Sequence, residues 1–229
     1  MKITISNDIL SQLPLFNIIA LSMDVVYEEN NAEVENLIIK TEKKINEEYS
    51  LEDVLNIPLI KEGRDGYKKL KKDPSRYRLA CESLLRRLVK GNNLYRINNL
   101  VDVGNVLSIN CNRSVAVLDY DKIIGDITIR LGRNDDVYEG IGRGIINVEN
   151  IPLYEDSVSP FGSTTSDTIR TSITSETKKI LVFVVCFGDS HMEEHKQAAI
   201  ELYSKYCNAK NITLIEVKKE ILWTKQQIL

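Results

Sequence analysis

The sequence predicts a mixed α+β fold, on three observations. Apolar residues recur at helical spacing in blocks between residues 33 and 109. The period shortens to two from 113 to 155. A long polar stretch then leads into Lys179 to Phe187, the most hydrophobic strand of the chain. With 229 residues, 43% hydrophobic and 28% charged, and only 11 Gly and 5 Pro, the composition excludes disordered and fibrous classes. A chain of this length buries roughly 70% or more of its unfolded surface, so no metal or disulfide is required to hold it.

The elements follow in order. Residues 2 to 6 alternate and 16 to 27 are rich in Ile, Leu and Val, so both read as strands. Glu33 to Tyr49 places Val34, Leu37, Ile38 and Ile45 on one face of a helix, and Ser50 caps a short successor. Pro58 and the Gly63 to Gly66 stretch are expected to interrupt the helical pattern before Tyr67 to Lys72, and Asp73-Pro74-Ser75 is a turn. Residues 76 to 90 then form a helix with Leu79, Ala80, Leu84, Leu85 and Leu88 in one stripe. Arg78, Glu82, Arg86 and Lys90 lie off it, and Gly91 is the C-terminal cap. Asn98-Asn99 is a capping entrance to a helix over 97 to 109 with Leu100, Val101, Gly104 and Leu107 inward. Short strands are predicted at 115–118, 127–131, 138–141, 145–148 and 152–154. The Ser-, Thr- and Gly-rich stretch Ser157 to Ser175 is long for a connector. A helix from His191 to about Ala209 and a strand Thr213 to Val217 close the fold.

Charge is uneven beneath a net of −3. Residues 28 to 53 hold nine acidic and three basic residues, whereas 68 to 96 hold ten basic against two acidic. A basic cluster of that kind suits a polyanionic partner, or else forms a solvated helical surface. Four cysteines without a CxxC pair fit a reducing compartment, and a cytoplasmic location is expected. The longest apolar stretches, 14–23 and 180–187, fall short of the ~20 residues of a membrane helix, so no membrane partner is expected.

The only two histidines form His191-Met192-Glu193-Glu194-His195, an H-x-x-E-H pattern that in the right context holds zinc. Helix capping explains the same residues with less, Ser190 as N-cap and Glu193 as its capping-box partner. No metal and no cofactor are therefore expected, and a metal hydrolase stands as the third reading.

The remaining motifs come in a fixed order. A basic helix ending LLRRLVKG (84–91) precedes YRINNLVDVGN (95–105), then VAVLDYDKI (115–123) with GDITIR (125–130), PFGSTTSD (160–167) and ILVFVVC (180–186). Together they resemble the B3/B4 editing module of the bacterial phenylalanyl-tRNA synthetase β subunit, over roughly residues 75 to 187. The resemblance implies one B3/B4-like domain over 1–229, with an α/β extension at 1–74 and a terminal helix and strand at 188–229. It also implies sandwich-like sheets with flanking helices. A complete ligase does not fit in 229 residues, so the chain is expected to be a free-standing module.

The resemblance further implies a cleft that removes a wrong amino acid from tRNA. Asn98 and Asn99 begin the bordering helix, and the loop Phe161 to Thr165 faces it. Where the family carries a histidine this chain has Ala116, and where it carries a glutamate this chain has Thr164, so tyrosine specificity is not carried over. Ester hydrolysis needs one positioned water and oxyanion stabilisation. Asn98, Asn99, Ser163, Thr164 and Thr165 are the candidate catalytic residues. Phe161, Gly162, Ala116 and Ser166 are the candidate substrate-binding residues, and Asp167 and Arg170 anchor the loop. Arg76, Arg78, Arg86, Arg87, Lys90 and Arg96 are the candidate contacts to the tRNA 3′ acceptor end. Two functions remain open: a trans-acting deacylase, and a non-catalytic module that binds RNA or an amino acid.

Overall fold

The computed structural model describes residues 1–220; the last nine residues of the expected C-terminal segment lie outside them. In chain order the elements are β1 (Ile3–Ile5), α1 (Asn7–Leu10), β2 (Asn17–Asp24), α2 (Ala32–Glu48), α3 (Leu51–Asn56), α4 (Pro58–Lys69), α5 (Ala80–Leu88), α6 (Asn99–Cys111), β3 (Val115–Asp119), β4 (Ile127–Leu131), β5 (Glu139–Gly140), β6 (Gly144–Ile145), β7 (Pro152–Glu155), β8 (Pro160–Ser163), β9 (Lys179–Cys186), α7 (Met192–Tyr206), β10 (Lys210–Ile215) and β11 (Val217–Lys219). The α+β class and the sandwich-like arrangement are both present.

One sheet runs β11-β1-β4-β7-β8, with β1 parallel to both neighbours, a second runs β10-β2-β9-β3 with antiparallel pairs throughout, and β5 and β6 form a separate antiparallel pair. The two larger sheets face each other: Tyr154 of β7 meets Phe183 of β9 edge-on, with ring centres 5.1 Å apart. The other face of the four-stranded sheet carries α6 and α7. There a Cβ on Gly104 would lie 2.3 Å from Val117 Cγ2, and Tyr203 of α7 donates to the Leu100 carbonyl at 3.1 Å. With both faces covered, the interior positions of β2 and β9 are buried without alternation, which explains their continuous apolar runs.

Several boundaries differ from the sequence reading, each for a local reason. The Gly63 to Gly66 stretch does not interrupt the helix. It lies inside α4, because Leu79 and Phe187 press so close that a Cβ would meet them at 2.4 and 2.2 Å. The helix expected over 76–90 is confined to α5, since the Ala80 amide donates to the Thr164 carbonyl at 3.1 Å rather than back along its own helix. Gly91 does take the left-handed conformation of a helix end, φ 77°.

Glu82 is fully buried rather than turned outward, held by Arg64 at 2.9 Å and Arg86 at 3.6 Å. The stretch 157–175 contains β8, paired with β7. Ser190 does not cap α7. His191 occupies the cap position in the left-handed region, φ 57°, while the Ser190 carbonyl accepts from Arg113 at 2.8 Å.

Candidate functional site

Both motifs of interest start as capping problems. Asn98 caps α6, its Oδ1 accepting from the Val101 amide at 3.0 Å. Asn99 is a clamp: its Oδ1 accepts from Glu28 N at 2.8 Å and its Nδ2 donates to Val26 O at 2.9 Å, which fixes the strand-to-α2 segment against the helix. Asn99 lines a cavity of about 380 Å³ between α2 and α6, together with Glu35, Arg96 and Asp102. Burial pushes the Asp102 carboxyl up to about 6, against the Ile97 amide and Arg96.

The hydroxyls of the 160–167 loop are committed to the fold. Thr164 and Thr165 share the buried Tyr67 hydroxyl, at 2.5 and 2.9 Å, and burial pushes that phenol up to about 12. Ser163 Oγ donates to Ser166 O at 2.7 Å and accepts from the Thr165 and Ser166 amides, a hydroxyl turn. Ser114 and Ala80 both donate to the Thr164 carbonyl. Phe161 is fully buried beside Tyr154. Gly162 leaves room for Tyr154 and for Asp167 Oδ1, 2.6 and 2.8 Å from where its Cβ would be. Ala116 shares the register of Phe183 and faces the inter-sheet core with it. Arg170 anchors the loop, as the sequence suggested, by bonds to Asp156, Ser159 O and Lys122 O.

The helix and the loop do meet, one to two turns beyond Asn98 and Asn99. A pocket of about 130 Å³ is walled by Val101, Gly104 and Asn105 of α6, Val115, Val117 and Leu118 of β3, Ile141, and Asp167, Ser172 and Ile173. None of the five candidate catalytic residues lines it. Asp167 is its one charged wall residue. The Asp167 carbonyl accepts from Ile141 N at 2.9 Å, while side-chain Oδ1 is closed off from solvent against Gly162 and has no partner. Burial pushes this carboxyl up to about 7, with the Ser163 amide acting in the opposite direction. Asp167 is the residue that sequence reasoning undervalued. Its only signal was an acid closing a hydroxyl-rich loop.

The six candidate basic residues divide. Arg96 is held by Glu35 at 2.9 Å and by Glu42, Arg86 leans on buried Glu82, and Arg87 lies over the Tyr95 ring and donates to Asn93 O. Arg76, Arg78 and Lys90 are exposed, without a carboxylate partner among the ion pairs of the described residues. At the histidine pair, His195 Nδ1 accepts from Arg113 at 3.1 Å, and burial together with Arg113 pushes it down to about 4. No group of three or more candidate metal ligands occurs among the described residues, where no helix is long and apolar enough to cross a membrane. All four cysteines are buried and unpaired, and burial holds the Cys81 thiol up at about 12.

The family model for the B3/4 domain matches residues 63–218. Among solved structures, the chain is similar to an N-terminal fragment of the phenylalanyl-tRNA synthetase β subunit from Pyrococcus horikoshii, with a TM-score of 0.53 and 10% identity. The likeness covers 96% of this chain and 52% of that one, so the chain spans about half the length of the fragment it matches. No curated protein matches by sequence.

Proposed function

The chain belongs to the B3/4 domain family, and from that premise we propose that it edits aminoacyl-tRNA in trans, hydrolysing the ester that joins a wrong amino acid to the tRNA 3′ end. The observation that carries this reading is the pocket where the two motifs meet, walled by α6 and the 167–173 segment, with Asp167 as its one charged wall residue. An aminoacyl ester is labile enough for positioning to suffice. Asn105, in the same wall, supplies an amide to hold a water at the carbonyl, and Ser172, whose hydroxyl donates to Ile169 O at 2.8 Å, can still accept from that water. Arg76, Arg78 and Lys90 offer the phosphates a basic surface. Asn98, Asn99, Thr164 and Thr165 then serve as positioning residues that hold the helix start and the loop.

Deacylation of a full set of charged tRNAs tests the reading. One or a few aminoacyl-tRNAs are expected to be cleared, with Asn105→Ala and Ser172→Ala each slowing the reaction at least tenfold; no turnover on any of them overturns it. A second reading, a binding module without turnover, is favoured by one observation: the Ser163, Thr164 and Thr165 hydroxyls are all engaged within the fold. Binding of charged tRNA without its deacylation selects it.

A further inference from the structure

We propose that Tyr95 is a stacking platform for one unpaired nucleobase of an RNA strand, with Arg87 and Lys90 taking the phosphate beside it. The inference rests on the RNA partner of the proposed function and adds a contact to it, without using the ester. Exposure is the first argument. Tyr95 is 64% exposed and is the one exposed Phe or Tyr among the described residues. One face of its ring lies against the Arg87 guanidinium, whose carbon is 3.9 Å from the ring centre, so that exposure belongs to the opposite face and the ring edge. Rigidity is the second argument. Arg87 Nη1 donates to the Tyr95 hydroxyl at 3.0 Å. Leu94, just before, is buried with its amide donating to Glu42 at 2.7 Å, and Arg96, just after, is held by Glu35 and Glu42. An apolar ring held still in water has neither the freedom of a loose side chain nor the benefit of burial. A flat partner on its open face supplies the burial.

The charge around the ring says which flat partner it is. Arg87 commits Nε to the Asn93 carbonyl and Nη1 to the Tyr95 hydroxyl, while Nη2 makes no hydrogen bond among the described residues. Lys90, three residues on, is exposed and without a carboxylate partner among the same residues. The acids that reach this loop, Glu35 and Glu42, are both engaged by Arg96. An open aromatic face beside cations that no carboxylate neutralises matches a base together with its phosphate. Bases stack on aromatic rings and on arginine planes, and here the base, Tyr95 and Arg87 form three layers. The base has to be unpaired, because within a duplex its neighbours already cover both faces.

The test titrates the full chain, at ~50 mM salt, with a fluorescently labelled short oligoadenosine RNA and with the same oligomer carrying abasic sites in place of its bases. The oligoadenosine is expected to bind. The abasic oligomer, which has the same charge, should bind at least about fivefold more weakly, the lower end of what one base stacked on an aromatic ring contributes. Tyr95→Leu should lose the same factor for the oligoadenosine, and Tyr95→Trp should retain wild-type binding. Lys90→Gln should weaken both oligomers alike and reduce the slope of log affinity on log salt by about 0.7, the value for one phosphate of a single strand. The ring protons of Tyr95, identified by their absence from the Tyr95→Leu spectrum, should move upfield only with the oligomer that carries bases, and thermal melts confirm that the variants fold. Equal binding of the two oligomers, unchanged binding in Tyr95→Leu, or no binding of either oligomer overturns the proposal. Because neither oligomer carries an ester, the outcome is independent of turnover. Base-dependent binding without deacylation of any charged tRNA refutes the hydrolytic reading alone, and deacylation with base-independent binding refutes the platform alone.

Discussion

Asp167 is kept ionisable at a position where its carboxyl has no partner at Oδ1 and where burial raises its pKa from 3.8 to about 7. Between those values the folded chain holds a proton that the unfolded chain has released. Stability contributed by this group therefore falls as the pH rises from about 4 to 7, and the loss is complete above 7. Each pKa unit corresponds to about 1.4 kcal/mol, so the cost is of order a few kcal/mol. Asp167→Asn is accordingly expected to melt higher than the wild type at pH 8, with the gap closing toward pH 4. His195, held down at about 4, titrates with the opposite slope, and Asp102, held up at about 6, with the same one. The check is thus the difference between variant and wild-type melts at pH 4, 6 and 8; a gap that stays constant would refute it. The PFGSTTSD string marks a loop rich in polar contacts, but it does not say which member goes unpaired. That follows from Ser163 turning onto Ser166 and from Tyr67, a hundred residues upstream, taking Thr164 and Thr165.

At the scale of elements, α6 illustrates what a short polar signal can specify. The Asn98-Asn99 entrance is legible because a cap needs a side-chain acceptor three residues before a free amide, and Asn98 supplies it. The clamp by Asn99 is not, since its partners Val26 and Glu28 are distant in sequence. Replacing Asn98 with Ala is expected to cost about 1 kcal/mol, the usual value of a cap, or about 2–4 °C in Tm for a domain of this size. Asn99→Ala should cost more, because it removes two bonds, from the Glu28 amide and to the Val26 carbonyl, each with a net worth of about 1 kcal/mol, rather than one. Thermal melts of the two variants give the order, and a larger loss at Asn98 would contradict the clamp. Helix α5 shows the limit of periodicity. The leucine stripe continues to Leu79, yet the helix starts only after it because the Ala80 amide finds a carbonyl on another element.

For the molecule as a whole, the acidic and basic stretches turn out to be partners in part. Glu35 and Glu42 of α2 neutralise Arg96, and Glu82 gathers Arg64 and Arg86, so the ten-to-two excess of basic residues over 68–96 overstates what solvent meets. Where the remaining basic side chains meet phosphates, replacing Arg76, Arg78 and Lys90 by Gln should weaken tRNA binding. It should also flatten the dependence on salt, by a little under one unit of slope for each phosphate no longer neutralised. Arg96→Gln should instead lower Tm while leaving that slope in place; binding measured from ~50 to ~200 mM salt separates the two. Strand periodicity names most of the strands, whereas the division of most of them between the two larger sheets depends on pairings between the ends of the sequence that no local pattern carries.

Those pairings set a timetable for synthesis. β1 and β2 are made long before β9, β10 and β11, which flank them and lie between residues 179 and 219. At roughly 5–20 residues per second, the apolar segment Asn17–Asp24 waits on the order of ten seconds or more for its hydrogen-bonding neighbours β9 and β10. Until β9 emerges, Ile18 to Met23 present a sticky ribbon that holding chaperones would be expected to shield.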